Sequence, residues 1–184
     1  MSETYYVKTF GGLEITNDNV TVNIVELFGK QLVNLLQVLL FHSEKPVQKD
    51  ELIDILWPES KNPSSALKFS IFRLRSELNE IDFFKDKEVI VTTRKGYILN
   101  PNLDWNIDFV ELQKAYNQIN EGAELLDEKE FKIARKIFRL YQGRFYASPS
   151  QLYWILQKQE VFRQMYVKTM MRTSCYLYTQ KRYD

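Results

Sequence analysis

The spacing of apolar residues changes twice within the first hundred positions, and this order of patterns constrains the fold more than any other feature. In the first thirty residues, apolar and polar side chains alternate in short runs, which predicts a small antiparallel sheet. From Gln31 the apolar residues recur at helical spacing. Two strand-like runs, 88–93 and 97–99, are then joined by the basic turn Arg94-Lys95-Gly96. The order of sheet, helices and hairpin predicts an α+β domain that ends at Pro101.

Three helices are predicted between the sheet and the hairpin. The first starts at Gln31 and carries Asn34 and Gln37 away from its apolar side. The second follows Pro46 and ends at Trp57-Pro58, because proline has no N–H and clashes with the preceding turn. The apolar stripes comprise Leu32, Leu35, Leu36, Leu39 and Leu40 in the first helix, and Leu52, Ile55 and Leu56 in the second.

The third predicted helix carries the strongest functional signal. Asn62-Pro63 supplies an N-cap and a first-turn proline, and the helix runs to about Glu80. Its apolar stripe comprises Leu67, Ile71, Leu74 and Leu78, and the residues that point away are Lys68, Phe69, Phe72, Arg73, Arg75 and Ser76. Such a helix suits the DNA major groove, because Lys and Arg can donate hydrogen bonds to guanine edges or to phosphates.

The same pattern is also that of an ordinary amphipathic helix with a solvated basic face. Two features favour the DNA interpretation. Exposure of the Phe69 and Phe72 rings to water is unfavourable, and the rings could contact thymine methyl groups or deoxyribose. The turn Arg94-Lys95-Gly96 follows the helix, where a wing would reach the phosphates or the minor groove.

The overall charge argues mildly against a nucleic-acid partner. The formal net charge is only +1, and residues 1–100 contain 12 Lys and Arg against 14 Asp and Glu, whereas residues 101–184 contain 13 against 10. Phosphate binding depends on a surplus of cations. If the first half binds DNA, its cations must therefore lie together on one face.

Composition narrows the class of protein further. The single cysteine, Cys175, excludes an intramolecular disulfide framework, and no apolar stretch is long enough to span a bilayer, so we expect a cytoplasmic protein without membrane contact. His42 is the only histidine, which leaves neither a Ser-His-Asp triad nor a His-rich metal site. We therefore expect neither an enzyme nor a cofactor or metal.

Three remaining features are interpreted as structural. His42 is expected to cap the end of the first helix, and Cys175 to be a buried thiol rather than a nucleophile. The acidic residues Asp50, Glu51 and Asp54 could bind a cation, but they fit the acid-rich first turn of the second helix better.

Only helices are predicted after Pro101. One spans 108–119, and a second starts at Asp127, whose pairing with Glu130 forms a capping box, and stops before Gly143. A third starts at Ser148-Pro149, with Gln151 in capping-box position, and continues to about Tyr178. Its apolar residues are Leu152, Ile155, Leu156, Phe162 and Met165.

Paired helices of this kind are typical of a helical-repeat module, in which each helix needs a following one to bury it. The sequence stops at Lys181-Arg182-Tyr183-Asp184, the kind of turn after which another helix would begin. We therefore expect the chain to be a truncated piece of a longer protein.

Several motifs resemble one family of regulators. ELIDILWP (51–58), ALKFSIFRLRSEL (66–78) and VIVTTRKGYIL (89–99) are similar to the OmpR/PhoB-type winged helix, and the Leu-Trp-Pro, Ala-Leu and Arg-Leu-Arg elements are closest to the Streptomyces antibiotic regulatory protein (SARP) branch. In that branch a bacterial transcriptional activator domain of tetratricopeptide-like helices follows. Asp108-Phe109 and Trp154 of the second half are similar to it.

The resemblance implies an α+β winged helix-turn-helix domain at 1–101 and an all-α tetratricopeptide-like domain at 102–184. It also implies roles for individual residues. The residues that would face bases are Lys68, Phe69, Phe72 and Arg75, and those that would hold phosphates are Ser64, Ser65 and Arg73. The wing contact would be made by Thr93, Arg94 and Lys95. RNA polymerase would contact the loop residues Glu59, Ser60, Lys61 and Asn62. Phe69 and Phe72 depart from the His and Arg common in relatives, so the target sequence does not carry over.

Two functions from different classes are consistent with these observations. The first is sequence-specific binding of double-stranded DNA with transcriptional activation, with a possible homodimer on repeated sites. The second is a protein-interaction scaffold, in which the winged helix and the helical module bind protein partners. Clustering of Lys68, Arg73, Arg75, Arg94 and Lys95 on one face would favour the first.

Overall fold

The computed structural model describes residues 3–119, 126–147 and 152–180. Two units can be distinguished in the chain. The first comprises the residues up to Tyr5 together with Ile15–Trp105, and the second comprises Tyr6–Glu14 and the residues from Asn106 onward. The division into domains at 1–101 and 102–184 stays a prediction, because compactness does not show which segment folds by itself.

The secondary structure follows the predicted order closely. The strands are β1 (Thr4–Lys8), β2 (Glu14–Asn17), β3 (Val20–Asn23), β4 (Ile90–Thr93), β5 (Gly96–Leu99) and β6 (Asp104–Ile107). The helices are α1 (Ile24–Leu27), α2 (Lys30–Phe41), α3 (Lys49–Leu56), α4 (Pro63–Asn79), α5 (Asp108–Tyr116), α6 (Glu128–Leu140) and α7 (Tyr153–Thr179), with a 3-10 turn at Asp82–Phe84.

A strand follows Pro101, so the expectation that only helices occur there is wrong. Strand β6 lies beside β1 in a four-stranded sheet of order β3-β2-β1-β6, and the Thr4 hydroxyl donates to Asp104 at 2.6 Å. Only Ile107 is buried among its four residues. A run this short has too little alternation to reveal a strand from the sequence alone.

Helix α2 is buried on almost all sides, which also differs from the prediction. Residues 32–40 are all buried, and Asn34 and Gln37 have exposed fractions of only 4% and 0%. Within the first unit α1, α3, α4 and β5 all contact α2. A helix that is enclosed by other elements has no solvent-exposed face. The prediction that the Asn34 and Gln37 side chains point away from the buried side is therefore wrong.

Helix α3 has the predicted end. It stops at Leu56, and Trp57 is its C-cap immediately before Pro58. Leu52 and Leu56 are buried as expected, whereas Ile55 is only half-buried. His42 occupies the predicted C-cap of α2.

Four aromatic rings form the centre of the second unit. Phe10, Phe109, Phe145 and Phe162 are all at most 2% exposed. The centroid distances are 4.8 Å for Phe145 and Phe162, 5.3 Å for Phe10 and Phe162, and 5.5 Å for Phe109 and Phe145. Aromatic pairs at such separations contribute packing energy beyond the area that they bury.

Asp108 connects the start of α5 to the segment 6–14 of the same unit. Its carboxylate accepts the backbone N–H groups of Thr9 at 2.7 Å, Phe10 at 3.1 Å and Phe109 at 2.7 Å, and also the Thr9 hydroxyl. Burial raises the pKa of this carboxyl, although the hydrogen bonds act in the opposite direction. Asp108 thus satisfies buried donors that no strand partner reaches.

The helices of the second unit confirm one predicted cap and correct one side chain. Asp127 and Glu130 form the predicted capping box: Glu130 N–H donates to Asp127 at 2.7 Å, and Asp127 N–H donates to Glu130 at 2.9 Å. The capping residues predicted at 148–151 lie outside the described residues. Cys175 is exposed on α7, so the prediction that it is a buried thiol is wrong.

Candidate nucleic-acid interface

Helix α4 separates into a buried face and an exposed face, as its spacing predicts. Pro63 occupies the first helical turn and Asn62 the N-cap position, although the Asn62 side chain makes no capping hydrogen bond. The buried stripe contains Leu67, Ile71, Leu74 and Leu78, together with Ser70. Packing on α2 and α3 fixes this face, so the opposite face is presented outward.

Two phenylalanines lie on the outward face of α4. The exposed fractions of Phe69 and Phe72 are 62% and 69%. Full burial of a phenylalanine side chain stabilises a protein by about 1.5–3 kcal/mol, so leaving two such rings in water forgoes a substantial gain. With Ser65 and Ser76 they form one stripe at i, i+4, i+7 and i+11, opposite the buried one.

The cations of α4 lie on either side of this stripe. Lys68 is exposed. Arg73 is also exposed and pairs with Glu77 at 3.2 Å, an i,i+4 ion pair of small energy because both groups are well solvated. The first-turn residues Ser64 and Ser65 are exposed at the start of the helix.

Arg75 is attached to the neighbouring strand instead of being fully presented to solvent. Its guanidinium donates to the Ile90 carbonyl from Nε at 3.0 Å and from Nη2 at 2.7 Å, and Nη2 also lies 2.9 Å from Thr92 Oγ1. These bonds join α4 to β4. A contact between Arg75 and a base stays a prediction, and the structure gives the residue a role inside the protein.

The strand side of this contact is not evident from the sequence. Thr92 is exposed on β4, and no local pattern links it to Arg75, which lies 17 positions earlier. One signal was available: Arg75 lies four residues after Ile71 and three before Leu78, both buried, so it borders the packed face.

The predicted wing is a tight hairpin of β4 and β5. The strands are antiparallel, with Ile90 opposite Leu99 and Thr93 opposite Gly96, so the turn consists of Arg94 and Lys95, both exposed. Gly96 therefore begins β5 and is not part of the turn. The Thr93 hydroxyl donates to the Gly96 carbonyl at 3.1 Å and accepts the Lys95 N–H at 3.2 Å, which holds the turn in shape.

The loop predicted to touch RNA polymerase is exposed throughout. Glu59, Ser60, Lys61 and Asn62 are all accessible directly before α4. Ser60 N–H donates to the Trp57 carbonyl at 3.2 Å, and Asn62 N–H donates to the Ser60 hydroxyl at 3.3 Å. The structure thus places all fourteen predicted site residues in α4, in the loop before it and in the wing.

Among residues 3–119, 126–147 and 152–180, no group of three or more His, Cys, Asp and Glu side chains is placed to hold a metal ion. Over the same ranges, no helix combines the length and the apolar character needed to cross a membrane.

Comparison with known proteins agrees with this architecture. Residues 25–99 match the family described as transcriptional regulatory protein, C terminal. None of the curated proteins matches the chain. The fold is similar to that of Mycobacterium tuberculosis EmbR, solved in complex with a low-affinity phosphopeptide, with a TM-score of 0.65 and 17% identity over 98% of this chain. The chain spans about half of EmbR, 46% of its length.

A second solved structure, the DNA-binding domain of E. coli CadC, has 25% identity and a TM-score of 0.39 and covers 54% of this chain and 94% of its own. The likeness to EmbR confirms the predicted fold class, a winged helix followed by a helical region, and the family match confirms the resemblance of residues 25–99 to the OmpR/PhoB-type winged helix. Residues 25–99 are thus the part of the chain that is similar to the transcriptional regulatory protein C-terminal family.

Proposed function

We propose that the chain binds double-stranded DNA at specific sequences and regulates transcription, as an activator. Helix α4 would lie in the major groove, and the wing would contact the backbone or the minor groove. One observation carries the proposal: within a domain of this family, α4 buries one stripe completely and presents the opposite stripe, with two phenylalanines flanked by Lys68 and Arg73.

Each predicted site residue takes a role in this arrangement. Ser64, Ser65 and Arg73 would hold phosphates, and Thr93, Arg94 and Lys95 would make the wing contact. Lys68, Phe69 and Phe72 would face bases. For Arg75 we propose the base contact together with its bonds to β4, since a guanidinium has five donors and the bonds to Ile90 and Thr92 use only some of them.

Selection from random double-stranded DNA, followed by footprinting of the enriched sequence, tests this function. We expect enrichment of one motif and a protected region that contains it. Lys68→Ala should weaken binding roughly tenfold, because a base-contacting cation contributes about 1–3 kcal/mol. Lys132→Ala is the matched control, since Lys132 is 73% exposed on α6. Failure to enrich any motif, or equal binding by both variants, would contradict the proposal.

Activation and pairing require separate measurements. In transcription with purified polymerase, Glu59→Ala and Lys61→Ala should lower activation while leaving the footprint intact, because this exposed loop precedes α4 without belonging to it. Two copies on repeated sites would give a footprint that covers two adjacent motifs, and a footprint over one motif would exclude the homodimer at that site.

The near-neutral charge and the exposed phenylalanines also favour a second candidate, a protein-interaction scaffold. In that case α4 would pack its outward stripe on a protein. Association that does not change with salt, together with failure to bind any DNA, would support the scaffold and exclude the regulator.

A further inference from the structure

We propose that α4 recognises its DNA site mainly through thymine, with Phe69 and Phe72 packed on thymine 5-methyl groups in the major groove. This inference rests on the proposed function and names the chemistry of the sequence that is read. Apolar contacts would then make up most of the base readout, whereas Arg73 and the cations of the wing would contact phosphate.

The geometry of α4 places uncharged side chains along the middle of the presented face. Ser65, Phe69, Phe72 and Ser76 all lie opposite the buried stripe, since residues on a helix are about 100° apart. A helix that enters the groove turns this middle line toward the base edges and its two flanks toward the sugar-phosphate backbones. The residues that meet the bases first are therefore two phenylalanines and two serines.

The cations that could read guanine are displaced from this middle line. Arg73 lies on one flank, where it pairs with Glu77. Lys68 and Arg75 lie on the other flank, seven residues apart, and the Arg75 guanidinium already donates to Ile90 and Thr92. Lys68 is exposed on its flank of α4.

A phenylalanine ring discriminates between bases because it offers no hydrogen bond. Guanine, adenine and cytosine present mainly hydrogen-bonding atoms in the major groove, whereas thymine presents a methyl group beside its O4 acceptor. Covering a donor or acceptor with an aromatic ring removes its water without replacement, which is unfavourable. Contact with the thymine methyl group removes apolar surface of both the ring and the methyl group from water, which is favourable. Rings that are 62% and 69% exposed have that surface available.

Replacement of thymine by deoxyuridine tests the inference directly, because it removes only the 5-methyl group. Using the whole chain and the DNA site selected above, each thymine of the site is replaced in turn and the affinity is measured. We expect a loss of about fourfold at each thymine that faces Phe69 or Phe72, the value for one apolar carbon. Deoxyuridine outside the footprint should have no effect and serves as the DNA control.

Protein variants link the methyl groups to the two rings. Phe69→Ala and Phe72→Ala should lower affinity for the thymine site and abolish the difference between thymine and deoxyuridine at one position each. Phe72→Leu keeps an apolar side chain and should preserve that difference. Both rings are mostly exposed, so all three variants should unfold at the temperature of the parent protein, which is measured alongside.

The possible outcomes distinguish this inference from the proposed function. A selected site without thymine, or a site whose affinity is unchanged at every deoxyuridine, overturns thymine readout and leaves DNA binding established. A thymine effect that persists in both alanine variants also overturns it, since the methyl groups would then act without the rings. Failure to select any DNA refutes both proposals, and phenylalanine variants that weaken binding to a protein would then support the scaffold.

Discussion

Gly96 is a position where the wing hairpin packs closely against the rest of its unit. Its φ is +142°, and a Cβ built on it would lie 1.8 Å from the Val47 carbonyl oxygen. The close approach arises because Val47 and Tyr97 exchange two backbone hydrogen bonds, of 2.8 and 3.0 Å, beside the glycine. Only a residue without a side chain fits there. The glycine in Lys95-Gly96-Tyr97 is therefore explained by the close packing of the start of β5 against Val47, and not only by the neighbouring turn.

We expect Gly96→Ala to destabilise the protein by about 3 kcal/mol, because the added methyl group must displace backbone atoms and adopt a strained φ. The free energy of unfolding in urea measures the effect. Gly12→Ala provides the matched control, since nothing lies within 4 Å of its Cβ. Equal stability of the two variants would show that the start of β5 can shift without loss of folding free energy.

At the scale of elements, the contact between α4 and β4 determines whether the wing and α4 move together. The Arg75 guanidinium bonds to Ile90 and Thr92, and Phe72, Arg75, Ser76 and Asn79 line a groove of about 430 Å³ with residues 87–89. Arg75 is thus a positioning residue: it keeps the wing strand at a set distance from α4 before any DNA is present.

Arg75→Ala should loosen the wing while leaving α4 folded. Hydrogen bonds from a charged donor contribute about 1.5 kcal/mol or more, so amide hydrogen exchange in β4 and β5 should become roughly tenfold faster. Arg75→Lys should give a smaller change, since lysine cannot bond through two nitrogens. Arg73→Ala is the control, because the ion pair of Arg73 with Glu77 lies within α4. If amide hydrogen exchange were unchanged in Arg75→Ala, the pairing of β4 with β5 would be sufficient to hold the wing in place.

The elements themselves were largely predictable, and the failures have physical causes. Helices α3 and α4 and the capping box of α6 follow from local spacing, so their sequences sufficed. The burial of Asn34 and Gln37 and the existence of β6 depend on neighbours distant in sequence.

The same distinction applies to the candidate site. Exposure of Phe69 and Phe72 follows from the helical period, which the sequence contains. The bonds between Arg75 and β4 depend on how the chain returns 15 residues later, and no local pattern encodes that distance. For the same reason the exposure of Cys175 could not be predicted, because it depends on what packs against α7.

At the scale of the whole molecule, the charge balance limits how the protein can hold DNA. A net charge of +1 provides little general attraction to phosphate, and the first hundred residues contain more acids than bases. Affinity must then come from few cations and from apolar contacts. A protein of this kind should discriminate between sequences more through bases than through the backbone.

The salt dependence of DNA binding measures this balance. If Arg73, Arg94 and Lys95 are the cations at phosphates, the slope of log K against log salt should be about −3 for each bound copy. Affinity should then fall roughly 40-fold between 50 and 200 mM salt, against a thousandfold or more for proteins with many phosphate contacts. Arg94→Ala should reduce the slope by about one, whereas Phe72→Ala should lower affinity at every salt concentration without changing the slope. A slope steeper than about −6 for a single copy would require cations beyond these three and would contradict a site read chiefly through its bases.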